Sequence, residues 1–278
     1  MWTEVLGILV GYSLLNKLKF MIKKPGYKKL TEVIPGAESF FHKKSKEKGI
    51  LFIHGFTSTA KDYVPLGKYL ADKNISVHAI LLKGHGTCPE NMTTTNVYDW
   101  IKSAEEGLKK LKKHCKKVVV AGDSFGGNLA LILASKYKVD GVITMGTPVR
   151  VKRKTITWIL FLMNYFFLNF KKKWYHKGLA KKIRERITYK HIPLGCILDL
   201  GKGVKISRKA VKKVKAPILI MQSTTDFLVD ERSVDYIFHN VKSKHKKVYW
   251  FKNGYHVFIM DKNKHIAFRE IYDFIKNI

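Results

Sequence analysis

The amino-acid sequence of 278 residues predicts an α/β protein, with a mostly parallel β-sheet covered by helices on both faces. From residue 49 onward, short runs rich in valine, isoleucine and leucine alternate with longer helix-like segments. These runs are apolar at successive positions, which is typical of strands buried on both faces of a parallel sheet. Hydrophobic residues make up 46% of the chain, enough for the core of one large domain, with or without an insertion.

The elements follow one another in a regular order. The pentapeptide Gly122-Asp123-Ser124-Phe125-Gly126 lies between the third strand and the third helix. A long segment of different composition, which we call the composition break, separates the fourth strand from the fifth. The predicted strands are residues 49–54, 76–82, 118–121, 141–145, 218–222 and 247–251, and the predicted helices are residues 61–72, 96–114, 128–137 and 263–276.

The composition break covers residues 149–215, which hold twenty lysines and arginines but only two acidic residues, Glu185 and Asp199. Within it, residues 156–170 are uncharged and rich in aromatic side chains, with basic residues on both sides. This run is too short to cross a bilayer, which takes about 20 apolar residues. It fits either an element that inserts into a membrane surface or a lid helix that folds back onto the rest of the protein. In both interpretations, residues 149–215 form a basic helical insertion, which we call the cap.

The first residues of the chain form a second apolar segment. Residues 5–16 carry no charge, and the apolar run continues past Lys17 and Lys19 to residue 22. A helix that spans a membrane here would keep the rest of the protein in the cytoplasm, because the lysines follow the apolar run. An interfacial helix, a packing helix and a disordered leader are the alternatives. We therefore divide the chain into a candidate membrane anchor (1–24), a first core part (25–148), the cap (149–215) and a second core part (216–278).

The charge balance is strongly basic, with 53 lysines and arginines against 21 acidic residues and a formal net charge of +32. The electrostatic field of a protein with this net charge attracts anionic membrane surfaces and other polyanions. No nucleic-acid-binding module is visible, so a specific nucleic-acid partner is not expected, and a generally lysine-rich composition is the simpler alternative. The sequence leaves the oligomeric state open.

The three cysteines, Cys88, Cys115 and Cys196, are widely spaced and form no C-x-x-C pair. This argues against a disulfide framework or a structural metal and favours a reducing compartment. No metal or nucleotide signature appears, so no cofactor is expected. The sequence predicts a cytoplasmic protein, membrane-associated if the N-terminal segment or the cap meets lipid.

The pentapeptide Gly122-Asp123-Ser124-Phe125-Gly126 follows an apolar strand and precedes a helix-like stretch. A G-x-S-x-G motif in this context predicts a nucleophile elbow rather than an ordinary glycine-rich turn. The sharp turn strains the serine backbone and lifts its hydroxyl clear of the sheet, while the glycines let strand and helix approach closely. Ser124 is therefore the predicted nucleophile.

A serine nucleophile needs a base to take its proton and a carboxylate to orient that base. In this fold class the chain order is serine, acid, histidine. Asp226 directly follows a predicted strand, and His256 lies on the loop after the last strand, so they are the predicted acid and base. Asp230 and Asp261 are nearby alternatives for the acid.

The oxyanion formed on attack needs two preorganised N–H donors. One is predicted to be the backbone amide of Phe125, the residue after the nucleophile. The other is predicted on the loop after the first buried strand, at the amide of Phe56, where Gly55 permits unusual backbone geometry. His54 fits a role in organising this loop better than a role as a second base.

Taken together, the motifs resemble the α/β-hydrolase carboxylesterases related to monoacylglycerol lipases. The resemblance covers about residues 33–148 and 216–278, and it implies the α/β-hydrolase fold, the roles given above, and a cap that shapes the acyl pocket. Asp123 departs from the pattern, because many relatives have an apolar or small residue there. The motifs are His54-Gly55-Phe56-Thr57-Ser58, Lys83-Gly84-His85-Gly86, Asp99-Trp100, Gly122-Asp123-Ser124-Phe125-Gly126-Gly127, Thr225-Asp226 and Gly254-Tyr255-His256.

The sequence thus predicts a serine hydrolase that cleaves carboxylic esters with an apolar acyl chain through an acyl-enzyme on Ser124. A monoacylglycerol or a lysophospholipid at a membrane fits this prediction. One alternative is an acyltransferase that uses the same three residues. Another is a non-catalytic hydrolase-fold protein that binds anionic lipid through its charge.

Overall fold

The computed structural model describes residues 32–150, 170–172, 186–193, 195–252, 254–262 and 264–278. The main sheet has seven strands, numbered along the chain, in the order β1-β3-β2-β4-β5-β8-β9. Every strand pair in it is parallel except β1 with β3. The strands are β1 (Phe40–His42), β2 (Lys48–Ile53), β3 (Ser76–Ile80), β4 (Lys117–Asp123), β5 (Gly141–Met145), β8 (Ile218–Ser223) and β9 (Lys246–Phe251).

A separate pair of short strands lies in the predicted insertion. Strand β6 (Phe170–Lys172) pairs antiparallel with β7 (His191–Pro193). The helices of the described residues are α1 (Val64–Ala71), α2 (Pro89–Thr93), α3 (Val97–Lys112), α4 (Phe125–Lys136), α5 (Cys196–Ala210), α6 (Arg232–Asn240) and α7 (Lys264–Lys276).

The sheet has a hydrophobic core on each face, and successive residues of a strand enter opposite cores. In β2, Leu51 and Ile53 join the core under helices α3, α4 and α5. Ile50 and Phe52 join the other core, under α1 and α7. Because both faces are buried, β2 reads as a continuous apolar run in the sequence. The predicted parallel sheet with helices on both faces is confirmed.

Local sequence sets the start of the longest helix, α3. The Asn96 side chain accepts hydrogen bonds from the amides of Tyr98 (2.8 Å) and Asp99 (3.3 Å). The Asp99 carboxylate in turn accepts one from the Asn96 amide at 3.1 Å, which completes a capping box. The lysines of the last turn face the negative end of the helix dipole. This helix packs beside the serine motif through Trp100.

The structure adds elements that the sequence pattern did not predict. Strand β1 has only three half-buried residues at the sheet edge, too few for an apolar run to be recognised. Helices α2 and α6 were also missed, and α4 begins at Phe125, three residues earlier than expected. The early start matters because it brings the helix N-terminus directly to Ser124.

Two predictions fall largely outside the described residues: the candidate anchor at 1–24 and the apolar run at 156–170, of which only the backbone of residue 170 is described. No helix in the described parts of the chain is long and apolar enough to cross a membrane. The three cysteines carry free thiols, and all of them are buried.

Candidate active site

Ser124 occupies a strained turn between β4 and α4. Its backbone has φ 49° and ψ −122°, a conformation that a residue with a side chain rarely adopts. The Ser124 amide donates a hydrogen bond to the Met145 carbonyl of the neighbouring strand β5 at 2.7 Å. The turn therefore holds the serine at the carboxyl edge of the sheet, as a nucleophile elbow requires.

The glycines around Ser124 are needed for close backbone approach. A Cβ added at Gly126 would lie 1.9 Å from the Ile53 carbonyl oxygen of β2, and one added at Gly122 would lie 2.2 Å from the carbonyl carbon of Gly126. Both contacts are with backbone atoms, which cannot rotate away as a side chain could. Strand and helix can meet at this turn only because both positions are glycine.

The predicted base and acid contact each other. His256 Nδ1 lies 2.7 Å from Asp226 Oδ2, and the two side chains are 10% and 2% exposed. The Asp226 carboxylate also accepts hydrogen bonds from the amides of Leu228 (2.8 Å) and Val229 (3.1 Å). Burial alone would raise the pKa of Asp226, but His256 and these amides outweigh it and lower that pKa. Asp226 is therefore ionised at neutral pH and can hold the proton of His256 on Nδ1.

The two alternative acids have other partners. Asp230 binds the guanidinium of Arg232, with Nε 3.0 Å from each carboxylate oxygen. The Asp261 carboxylate accepts hydrogen bonds from the amides of Tyr255 (3.3 Å) and Lys262 (2.6 Å). Of the three candidates, Asp226 is the one whose carboxylate faces the imidazole of His256.

His256 and Ser124 both lie next to the Met145–Gly146 segment. The Ser124 amide is bonded to the Met145 carbonyl, while a Cβ added at Gly146 would lie 3.3 Å from the His256 ring. The loop that carries His256 is tied to the end of β8, because Thr225 Oγ1 donates to the Gly254 carbonyl at 2.6 Å. The structure therefore brings the three predicted side chains to one edge of the sheet.

The loop after β2, which carries the predicted oxyanion donor Phe56, is organised by His54. His54 is fully buried, its Nδ1 lies 2.9 Å from the Gly55 carbonyl oxygen, and its Nε2 accepts the Leu82 amide at 3.1 Å. Burial lowers the pKa of His54 to about 4, so the ring is neutral and carries its proton on Nδ1. This placement supports the predicted structural role of His54.

The two predicted oxyanion donors flank the serine. Phe125 is the first residue of α4, where an amide has no acceptor within its own helix. Phe56 follows Gly55, and a Cβ added at Gly55 would lie 3.3 Å from Ser124 Cβ. The Phe56 and Phe125 rings meet edge-on at 6.5 Å, and both contact Trp100. Trp100 and Phe125 are buried in the hydrophobic core, and Phe56 is partly buried against it.

Asp123 is buried next to the nucleophile and bonded to Tyr63. The Tyr63 hydroxyl lies 2.5 Å from Asp123 Oδ1, and the Asp123 amide donates back to the same hydroxyl oxygen at 3.0 Å. Burial first, and the nearby charge of Asp62 second, raise the pKa of Asp123 to about 6. The sequence indicated unusual electrostatics here, but no local pattern pointed to Tyr63, sixty positions away in the chain.

The Lys83-Gly84-His85-Gly86 motif forms a loop at the same edge of the sheet. Gly84 and Gly86 have φ angles of 78° and 70°, which favour glycine. The His85 ring stacks on Tyr189 with centroids 6.3 Å apart. In the described parts of the chain, no group of three His, Cys, Asp or Glu side chains is placed to hold a metal ion.

Comparison with known proteins places this chain in a family. The family model described as serine aminopeptidase, S33, matches residues 44–263. A thermostable monoacylglycerol lipase of Bacillus sp. (strain H-257) is 30% identical over 232 residues, covering 82% of this chain and 90% of the lipase. A carboxylesterase of Bacillus subtilis (strain 168) is 25% identical over 239 residues, covering 84% of this chain and 95% of the esterase.

Solved structures agree on the fold. A structure from a study of LipS and LipT, two metagenome-derived lipolytic enzymes, superposes with a TM-score of 0.82 at 24% identity, covering 89% of this chain and 100% of that one. A soluble variant of monoglyceride lipase from Saccharomyces cerevisiae gives a TM-score of 0.74 at 17% identity, covering 92% and 99%. The chain therefore belongs to the S33 family of α/β-hydrolases, among its esterase-like and monoacylglycerol lipase-like members, and is a serine carboxylic-ester hydrolase.

Proposed function

We propose that the protein hydrolyses esters with an apolar acyl chain through an acyl-enzyme on Ser124, with His256 as base and Asp226 as the acid that orients it. The observation that carries this proposal is the buried contact of 2.7 Å between His256 and Asp226, beside a serine held in a strained turn. A monoacylglycerol or a lysophospholipid is the proposed substrate class.

The reaction begins when His256 Nε2 takes the hydroxyl proton of Ser124 while the serine oxygen attacks the ester carbonyl. The carbonyl oxygen becomes an oxyanion, to which the amides of Phe56 and Phe125 donate hydrogen bonds. The intermediate collapses, the bond to the leaving alcohol breaks, and His256 gives its proton to that alcohol. The acyl group remains on Ser124.

Water completes the cycle. His256 takes a proton from the attacking water, whose oxygen forms a bond to the acyl carbonyl carbon. A second oxyanion forms in the same site and then collapses, which releases the carboxylic acid and returns the proton to Ser124. Asp226 stays ionised throughout and stabilises the imidazolium that forms in each half of the cycle.

Two exposed side chains support an apolar acyl group. Phe227 and Leu228, directly after Asp226, are 50% and 54% exposed. Exposed apolar side chains at the rim of a site suit a substrate with a hydrocarbon chain. The relative from Bacillus sp. (strain H-257) is described as a monoacylglycerol lipase, and a monoacylglycerol carries such an acyl chain.

We also propose that residues 149–215 form the cap over this site. The described end of that segment, helix α5, packs against α4, the helix after the nucleophile. A Cβ added at Gly203 would lie 2.5 Å from the Phe125 ring, and Asn128 Nδ2 donates to Ser207 Oγ at 2.7 Å.

The other parts of the chain have separate proposed roles. Residues 25–148 and 216–278 form the catalytic core, and residues 1–24 form an N-terminal anchor. With its net charge of +32, the protein is proposed to work at the cytoplasmic surface of an anionic membrane.

The function is tested with p-nitrophenyl esters from acetate to palmitate, comparing wild type with Ser124→Ala. We expect activity that peaks at medium or long chains and a fall in kcat of about 10⁴–10⁶-fold in the variant, because the nucleophile is lost. Ser135→Ala removes a serine hydroxyl that caps the end of α4 and should keep wild-type activity. Equal rates in wild type and Ser124→Ala at every chain length would refute the proposal.

A further inference from the structure

Residues 186–189, which we call the strap, cross the loop that carries the Phe56 amide. Two strap groups donate to the Thr57 carbonyl, the Thr188 hydroxyl at 2.8 Å and the Tyr189 amide at 3.0 Å. The loop also donates to the strap, because Thr59 Oγ1 donates to the Ile187 carbonyl at 3.0 Å. The strap is therefore bonded to both sides of the loop that immediately follows Phe56.

Arg186 fixes the strap to the same loop through charge. Its guanidinium Nε donates to Asp62 Oδ1 at 2.9 Å, its Nη2 contacts Asp62 Oδ2, and Nη2 also donates to Ser58 Oγ at 3.0 Å. The Arg186 side chain is 13% exposed and that of Asp62 is fully buried. A bidentate contact of this kind fixes the orientation of the two side chains as well as their distance, because the guanidinium is planar.

The loop between Phe56 and Thr59 needs such external support. Thr57 has φ 66°, a left-handed conformation that is unfavourable for a β-branched residue. Backbone strain of this kind persists only where the surrounding contacts enforce it. At Thr57 the strap supplies such contacts, because both Thr188 and Tyr189 donate to its carbonyl oxygen.

The strap also reaches the second loop at this edge. The Tyr189 hydroxyl donates to the Gly84 carbonyl at 2.8 Å and accepts the Thr87 amide at 3.1 Å. One short segment thus joins the loop after β2 to the loop after β3. Any shift of the strap would move the backbone next to Phe56.

We propose that Arg186 is a positioning residue for ester hydrolysis: by anchoring the strap to Asp62 and Ser58, it holds the Phe56 amide in the geometry that the oxyanion requires. The inference rests on the proposed function, in which that amide is an oxyanion donor. Arg186 itself does not touch the reacting atoms. Its effect should appear in the transition state and not in substrate binding.

The test compares wild type, Arg186→Met and Arg186→Lys with p-nitrophenyl butyrate. For Arg186→Met we expect kcat to fall about 10–100-fold with little change in KM, because a displaced donor weakens binding of the oxyanion and not of the substrate. Arg186→Lys should recover part of the loss, since it keeps the charge but lacks the planar fork.

A trifluoromethyl ketone distinguishes positioning from a general loss of structure. Its carbonyl carbon forms a bond to Ser124 Oγ, the serine proton passes to His256, and the carbonyl oxygen becomes an oxyanion like that of the intermediate. Its inhibition constant should therefore rise in Arg186→Met by the same factor as KM/kcat. Inhibition that is unchanged while kcat falls would overturn the proposal.

Two further variants serve as controls. Arg232→Met removes another arginine bound to a buried aspartate, Asp230, which is 4% exposed, and should leave the affinity for the ketone unchanged. Thr188→Val keeps the shape of the side chain and removes one donor to the Thr57 carbonyl, so it should lower kcat about 3–10-fold even if Arg186→Met does not fold. Equal losses in Arg186→Met and Arg232→Met, or wild-type kcat in Thr188→Val, would contradict the inference.

The same measurements separate this inference from the proposed function. If wild type and Ser124→Ala hydrolyse the ester equally, the proposed function fails and the inference fails with it. If hydrolysis depends on Ser124 but Arg186→Met keeps wild-type kcat and ketone affinity, the function stands and the inference alone is refuted.

Discussion

The surroundings of three buried ionisable side chains near Ser124 shift their pKa values in different directions. Asp226 has a lowered pKa because its hydrogen bonds outweigh its burial. Asp123 has a pKa raised to about 6 by burial, since Tyr63 gives it a hydrogen bond but no positive charge. His54 has a pKa lowered to about 4 by burial. The site therefore contains one carboxyl that is stabilised as an anion and another that is not.

Asp123→Asn should become more stable, relative to wild type, as pH rises. The folded-state pKa of Asp123 is raised, so its contribution to stability is fully present below about pH 4 and is lost as pH rises through about 6. The difference in free energy of unfolding between variant and wild type should shift by roughly 3 kcal/mol in favour of the variant. Urea denaturation at pH 4, 5, 6 and 7 measures this shift.

Asp226→Asn is the matched control, and the pH dependence of its stability relative to wild type should have the opposite sign. The pKa of Asp226 is lowered in the folded protein, so its stabilising contribution is present above its ordinary pKa and is lost as pH falls. This variant should therefore lose more stability at pH 7 than at pH 4. Parallel stability curves for Asp123→Asn and wild type over the whole range would show that burial does not raise the pKa of Asp123.

At the scale of elements, the turn between β4 and α4 depends on backbone contacts that exclude any side chain. Gly126→Ala should destabilise the protein by at least about 3 kcal/mol, because the new Cβ would lie 1.9 Å from the Ile53 carbonyl oxygen. Thermal or urea unfolding of the purified variant, or its failure to accumulate as folded protein, measures the effect.

Gly201→Ala tests the same substitution where space is available. Gly201 is exposed within helix α5, and a Cβ added there meets no atom within 4 Å. Alanine should stabilise the helix by about 0.5–1 kcal/mol because it restricts the unfolded chain. Similar stability changes for the two variants would contradict the proposed close contact at Gly126.

The elements that the sequence predicts well are those with a local signal. Strand β5 was predicted with its observed bounds, 141–145, because a doubly covered strand is apolar at each position. Strand β1 has three residues and no such run, so it was missed. Ser124, Asp226 and His256 follow from chain order and strand ends. The strap has no local signal, because Arg186 meets Asp62 from 124 positions away in the chain.

At the scale of the whole molecule, the net charge of +32 predicts salt-dependent binding to membranes. Binding to vesicles that contain phosphatidylserine should weaken steeply between 0.05 and 0.5 M salt, because the Debye length falls below about 10 Å above 0.1 M. Neutral vesicles should bind much less. Co-sedimentation with the two kinds of vesicle measures both quantities.

A pair of double variants tests whether the cap contributes more than charge in general. Lys202 and Lys205 are exposed on helix α5, while Lys109 and Lys113 are exposed at the far end of α3. Replacing either pair by glutamine removes the same charge, but the change on α5 should weaken vesicle binding more. Equal weakening would assign the attraction to net charge alone, and salt-insensitive binding would point to the apolar N-terminal segment.

The burial of the native thiols has a practical consequence for spectroscopy. Cys88, Cys115 and Cys196 are the three cysteines of the chain and are 3%, 5% and 2% exposed. Maleimide and methanethiosulfonate reagents reach exposed thiols far faster than buried ones. A cysteine introduced at an exposed position such as Lys202 would therefore take up a fluorophore or spin label selectively while the protein is folded. With two such cysteines labelled together, a distance across the molecule can be measured without first removing the native cysteines.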